Sequence, residues 1–154
     1  MVSSSKRYKG AKIHAISLSA VKGTIKSNVQ KANVIADFGI EGDSHAGPGK
    51  RQISLLPKEA IDDLGKKGFD VRPGNFAENL TTSALDTETL SIGRKLRVGG
   101  EVILQITQRG KRCHGKCGIY DKIGKCIMPR KGIFARVLKG GGIKVQDRIT
   151  LIED

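Results

Sequence analysis

The chain has no tryptophan, and aromatic residues make up 4% of its 154 positions. So few rings argue against a stacking platform for single-stranded nucleic acid. Cysteine occurs three times, an odd number, and only between positions 113 and 126. That is a poor disulfide framework and a better thiol or metal cluster. No apolar run approaches the ~18–20 residues of a membrane span. The opening MVSSSKRYKG is basic but lacks an apolar stretch, so no secretory leader and no membrane partner are expected. With reduced thiols, this points to a cytoplasmic protein. There is no G-x-x-x-x-G-K-[ST] and no strand-linked G-x-G-x-x-G, which disfavours nucleotide-hydrolysing and dinucleotide folds. The lack of G-x-S-x-G disfavours an ordinary serine hydrolase.

The chain does have enough apolar residues, 38%, for one core, and a length that fits one domain. It holds 20 glycines against four prolines, a balance that suggests many tight turns. Net charge is +13, unevenly distributed: residues 1–93 carry +3, residues 94–148 carry +12 and the last six carry −2. Such a field either solvates a face or attracts an anion: a phosphate, an oxyanion, nucleic acid or an acidic partner protein.

Alternating apolar residues predict strands over 11–19, 29–37, 51–56, 90–98, 101–107 and 143–152, and 75–81 leads into another strand-like segment. Gly99-Gly100 joins two of these as a hairpin, and 133–138 reads as a strand or a helical turn. Pro57 opens a predicted helix over Lys58–Lys67, closed by Gly68. Four glycines and a proline make residues 39–49 a loop. The expected architecture is mainly β: a flexible tail over 1–10, then a single β-barrel domain over 11–154 with one or a few short helices.

The segment Arg109-Gly110-Lys111-Arg112-Cys113-His114-Gly115-Lys116-Cys117, with Cys126 beyond it, carries the most chemistry. Neighbouring cations lower a thiol pKa, and the thiolate can attack sulfur, carry a persulfide or ligate a soft metal. Lys111, Arg112, Lys116, Lys122 and Lys125 all lie near a cysteine. Zinc on Cys113, His114 or Cys117, and Cys126 is the alternative, although Cys-x3-Cys then x8-Cys is not two CxxC knuckles. Burial as small hydrophobes is the third possibility. In the glycine-rich loop, Asp43 and His45 stand two apart: the carboxylate could orient the imidazole or satisfy the loop's own backbone. Glu78-Asn79 reads as a ligand contact or a loop cap.

Five segments stand in order along the chain: Gly42-Asp43-Ser44-His45-Ala46-Gly47, Arg51-Gln52-Ile53-Ser54-Leu55-Leu56, Gly74-Asn75-Phe76-Ala77-Glu78-Asn79-Leu80-Thr81, Leu90-Ser91-Ile92-Gly93 and Gln105-Ile106-Thr107-Gln108 leading into Cys113. Together they resemble the MOSC domain, the C-terminal domain of molybdenum cofactor sulfurases. Residues 126–135 are similar to the small stand-alone bacterial members. The resemblance spans roughly residues 11–152. It implies a β-barrel that binds molybdenum cofactor or transfers sulfur, with Cys113 as the reactive or metal-ligating residue. Many members have proline before that cysteine where this chain has Arg112, and Cys117 is a second candidate. Asp43, His45, Arg51 and Asn79 carry over as pocket residues, with Arg112 and Lys116 holding the thiol ionised and the cofactor phosphate nearby. The 154 residues leave no room for a pyridoxal-phosphate domain, so no pyridoxal phosphate is expected and sulfur or cofactor would come from a donor protein. The rival expectation is a zinc-stapled basic barrel that binds nucleic acid through phosphate neutralisation.

With iodoacetamide at neutral pH, one of Cys113 and Cys117 should alkylate much faster than the remaining cysteines. Uniformly slow labelling of all three would exclude an activated thiol.

Overall fold

Apolar residues at every second position bury one face of each strand, and that alternation builds the sheets. A computed structural model describes residues 9–21, 25–110 and 131–153. In chain order they form β1 (Lys12–Leu18), β2 (Ser27–Val29), β3 (Lys31–Ile35), β4 (Gly39–Ile40), β5 (Ile53–Pro57), α1 (Lys58–Lys66) and β6 (Leu80–Ser83). A 3-10 turn (Thr87–Thr89) follows, then β7 (Lys95–Val98), β8 (Val102–Arg109), β9 (Ile133–Lys139), β10 (Gly141–Lys144) and β11 (Ile149–Ile152). One sheet has eight strands in the order β11-β7-β8-β9-β5-β6-β1-β2; a second has three, β10-β3-β4. All described pairs are antiparallel except β5 with β6, which the crossover helix α1 makes parallel.

The sheets share one core. Ile13, Ile16, Ile53, Leu55, Leu80, Leu104 and Val137 from the large sheet pack with Val34, Ile40 and Ile143 from the small one. A second cluster lies under α1, where Ile61 and Leu64 meet Leu56, Phe76 and Phe134. β5 is therefore buried on both faces, with Ile53 and Leu55 in the main core and Leu56 beneath the helix.

Three expectations need revision. The strand predicted over 29–37 is two strands, β2 and β3, in different sheets. Likewise 143–152 divides into β10 and β11, and the glycines at 141 and 142 begin a strand instead of only breaking one. Local periodicity marks extended backbone but carries no information on which sheet receives it. The helix and the hairpin stand: α1 covers nearly the predicted span, and β7 pairs with β8 from Val98↔Val102 to Lys95↔Gln105.

A mainly β fold with one α-helix is observed, whereas a closed barrel is not detected among the described residues. β1 meets the loop before β11 through Ile13 N→Asp147 O (2.9 Å), Gln146 N→Ile13 O (2.9 Å) and Ile149 N→Ala11 O (2.8 Å). Only an isolated bridge, Lys12↔Arg148, accompanies them, so the edges touch without a strand ladder.

Gly39 marks where the small sheet passes closest to β5. Its φ is +128°, and an added Cβ would lie 2.5 Å from the Gln52 carbonyl oxygen. Gly39→Ala should therefore cost ~2–4 kcal/mol by chemical denaturation, since backbone blocks relaxation. Gly42 also has positive φ (+87°) but open space around it, so Gly42→Ala should cost only ~1–2 kcal/mol.

Candidate functional site

The loop after β4 is tied down by its own turns and by β1. Asp43 N donates to Ile40 O, Ala46 N to Asp43 O, Gly47 N to Phe38 O, and Ser44 N to Ser19 O at 2.7 Å. Asp43 is the centre of this arrangement. Its Oδ1 accepts Lys26 Nζ at 2.6 Å and the Ser19 N–H at 3.1 Å, and its Oδ2 accepts the His45 N–H at 3.2 Å. Both charged side chains are fully buried. Burial pushes the Asp43 carboxyl upward, but hydrogen bonds from Lys26, Asn79 and Ser19 outweigh it and hold the group below its ordinary range. Of the two roles the sequence allowed for Asp43 beside His45, the observed contact is to the backbone N–H.

Lys26 also organises the neighbouring turn. Its N–H donates to Gly74 O at 2.9 Å, and a Cβ on Gly74 would lie 2.4 Å from Lys26 O. Asn28 Nδ2 adds bonds to Ser17 Oγ (2.7 Å) and Pro73 O (3.0 Å). Within that turn the buried Glu78 carboxylate accepts from Gly74 N (2.9 Å), Phe76 N (3.2 Å) and Thr81 Oγ1 (2.8 Å). Burial raises the Glu78 pKa, and these hydrogen bonds offset that only in part. Glu78 is thus the loop cap of the two readings. Asn79 joins the layers: its Nδ2 donates to Ser17 O (3.2 Å), and its Oδ1 accepts Ser54 N of β5 (3.0 Å).

Three residues before Ser54, Arg51 lies at the surface. Its Nε donates to Gln108 Oε1 at 3.1 Å, and its guanidinium stands 5.5 Å from the Phe134 ring centroid. Ser54 and Phe134 are register partners, so β5 links the buried Asn79 cluster to the exposed arginine. Thr107 Oγ1 donates to Lys50 O and to Phe134 O, fixing the loop against the end of β8.

At that end, Gly110 N donates to Gly132 O at 2.7 Å, beyond the last register pair Arg109↔Ile133. Chain positions 110 and 132 therefore meet, and everything between them departs from and returns to one point beside Arg51. Cys113, Cys117, Cys126, His114, Arg112 and Lys116 belong to that stretch and lie outside the described residues. Arg109 Nη2 donates to Glu88 O (2.6 Å), and Lys131 pairs with the Glu88 carboxylate at the same junction. Along β8 and β9 runs an open cleft of about 470 Å3 whose lining includes Lys50, Gln105, Thr107, Arg136 and Asp37. No cluster of three metal-ligating side chains is found among the described residues.

Of the residues singled out in the sequence, Asp43 and Asn79 are thus buried beside Lys26, and the backbone of His45 joins them. Arg51 stands outside, at the root of the cysteine-bearing segment. Lys26 stands in none of the segments that carry the family resemblance, and Gln108 stands in one without a site role there. Nothing local marks Lys26 among 28 basic residues, although a carboxylate in an apolar-flanked loop calls for some cation.

This geometry sits in a recognisable domain. A sequence profile of the MOSC domain matches residues 41–150, and the chain belongs to the MOSC domain family. Solved structures agree on the fold at low identity. The YuaD protein from Bacillus subtilis is 17% identical with a TM-score of 0.75, covering 92% of this chain and 94% of that one. YiiM from Geobacillus stearothermophilus is 19% identical (TM-score 0.71; 93% and 75% covered), and YiiM from Escherichia coli 18% identical (0.67; 93% and 70%). No curated protein matches the chain. No helix among the described residues is long and apolar enough to cross a membrane.

Removing one member of the buried pair strands the other charge. Lys26→Met should lower unfolding free energy by ~3–5 kcal/mol, while Lys26→Met combined with Asp43→Asn should recover part of the loss. Because the folded Asp43 carboxyl titrates below its ordinary value, its contribution is present above that value and disappears as pH falls through the folded one. Acid unfolding followed by circular dichroism should be shallower in Asp43→Asn.

Proposed function

We propose that this protein handles sulfur or molybdenum cofactor through a thiolate in the segment between positions 110 and 132, Cys113 first and Cys117 second. The observation that carries the reading is the junction itself. A cysteine-bearing stretch is rooted where Gly110 meets Gly132, between Arg51, Arg109 and Lys131. Membership of the MOSC family, associated with molybdenum cofactor-related proteins, supports the same chemistry.

Cations near the thiol favour its ionised form, and Lys111, Arg112 and Lys116 flank Cys113 in sequence. In the sulfur-carrying step, the thiolate attacks the outer sulfur of a donor persulfide. A new S–S bond forms on the cysteine, the donor's S–S bond breaks, and the donor leaves as its own thiolate with no net redox change. The donor is a partner protein of cofactor biosynthesis, and the acceptor takes sulfur by the reverse exchange.

The described residues also suit an anionic cofactor. Lys50 and Arg136, which line the cleft, would hold a phosphate there, with Arg51 next to Lys50 in the chain and Thr107 and Gln105 providing neutral polar atoms. A molybdopterin would supply a metal for Cys113 to ligate. Asp43 and Asn79 would act from the interior by holding the loops, with His45 and Arg51 nearer the ligand. The protein is read as a cytoplasmic one.

Incubation with glutathione persulfide should add ~32 Da, removable by reductant, to the intact protein. Cys113→Ser should abolish that adduct while the thermal midpoint barely moves. An unchanged adduct in Cys113→Ser and its loss in Cys117→Ser would transfer the role to Cys117, and persistence in both would overturn the proposal. Stoichiometric zinc, with unfolding on its removal, would instead favour the zinc-stapled nucleic-acid reading.

A further inference from the structure

The outer face of the sheet formed by β11, β7, β8 and β9 extends beyond the cleft that Arg136 and Gln105 line. Register pairs place Ile152 opposite Lys95, Lys95 opposite Gln105, and Gln105 opposite Arg136, one continuous row across four strands. In the next row Arg97 lies opposite Ile103 and Ile103 opposite Lys139; the register shifts beside this pair, and Leu138, two residues after Arg136, falls within the shift. Arg97, Arg136 and Leu138 are exposed, while Lys95, Ile103 and Gln105 are half-buried. The alternate residues Leu96, Val98, Leu104, Ile106 and Val137 fill the core, so this pattern belongs to the opposite side of the sheet. The four strands contain five basic residues and no acidic one. Asp37 borders the face, 3.6 Å from Arg136.

We infer that this face is a docking surface for an acidic protein partner, whose carboxylates meet Lys95, Arg97 and Arg136 while aliphatic side chains cover Ile103 and Leu138. Two other occupants fit less well. A second copy docked face to face would set the same cations against each other. A nucleic-acid backbone would use the cations but leave the interspersed aliphatics unmatched, and the four strands offer no exposed ring for stacking bases.

Size sets the kind of contact. Four strands at ~4.8 Å spacing and four residues at ~3.3 Å rise cover about 19 by 13 Å, far less than the ~800 Å2 a partner buries in a stable complex. The visit is therefore brief and salt-sensitive, as suits a donor that must come and go. The face adjoins the cleft of Lys50 and Thr107 through Gln105 and Arg136, so a bound partner stands beside the root of the cysteine segment. The identity of the visitor as sulfur donor or acceptor rests on the proposed function; the contact itself does not.

The test uses the full chain and a fluorescein-labelled peptide of repeated Glu-Leu-Glu-Asp units, with double-stranded DNA of matched charge as the competitor. The peptide should shift backbone amides of 95–98, 103–107 and 136–139, with affinity falling at least about tenfold between about 50 and about 300 mM salt. Arg97→Glu with Arg136→Glu should abolish binding, and Ile103→Ser with Leu138→Ser should weaken the peptide at least about fivefold but not the DNA. Each variant's amide spectrum outside the face verifies that it folds. Peptide shifts centred elsewhere, or DNA bound more tightly and displacing the peptide, would overturn the inference. Persulfide loading of the single variant Arg97→Glu by glutathione persulfide reads the sulfur chemistry separately, and Cys113→Ser should bind the peptide like wild type.

Discussion

One buried ion pair holds the candidate site together. Lys26 and Asp43 lie 2.6 Å apart with no solvent exposure of either side chain. Desolvating each ion costs several kcal/mol, and their attraction offsets that only where other groups complete the coordination. Here they do: the Asp43 carboxylate also takes the backbone N–H groups of Ser19 and His45. The Lys26 backbone in turn bonds Gly74, so the strand-connecting segment, the glycine-rich loop and the 73–79 turn are tied through two residues.

The 73–79 turn needs this support because it contains a buried carboxylate without a cation among its hydrogen-bond partners. Glu78 is satisfied by two backbone N–H groups and a threonine hydroxyl, which orders the turn although its charge is poorly solvated. Asn79 converts that order into alignment with β5, and β5 delivers Arg51 to the end of β8. Interior hydrogen bonds thereby determine where an exposed cation stands relative to the cysteine-bearing segment. Pre-organisation of this kind would serve the proposed thiolate chemistry, which needs an ionised sulfur that a visiting group can find.

Much of this was legible in the residues. The alternation of Lys95–Val98 and Val102–Arg109 around Gly99-Gly100 identified the hairpin, and Pro57 with Ile61 and Leu64 identified the helix. Part of the positive charge of residues 94–148 stands on β7, β8 and β9, in Lys95, Arg97, Arg109, Arg136 and Lys139. The ordered motifs around Asp43, Arg51 and Asn79 pointed to the MOSC family. Hidden were the role of Lys26, the pairing of Gln108 with Arg51 and the division of 143–152 between two sheets, because each depends on partners remote in the chain.

By itself the sequence determined what short-range physics can encode: strand and helix period, glycine turns, the family's motif order and the charge gradient along the chain. Tertiary structure alone decided which sheet each strand joins, and that β1 reaches the β11 loop through a bridge instead of a ladder. It also chose the partners of the polar groups: Lys26 with Asp43 across 17 positions and Gln52 with Val137 across 85 in the interior, and Arg51 with Gln108 across 57 at the surface. Periodicity is a property of neighbouring residues, whereas a buried charge or amide is satisfied by whatever the packed chain brings within 3 Å.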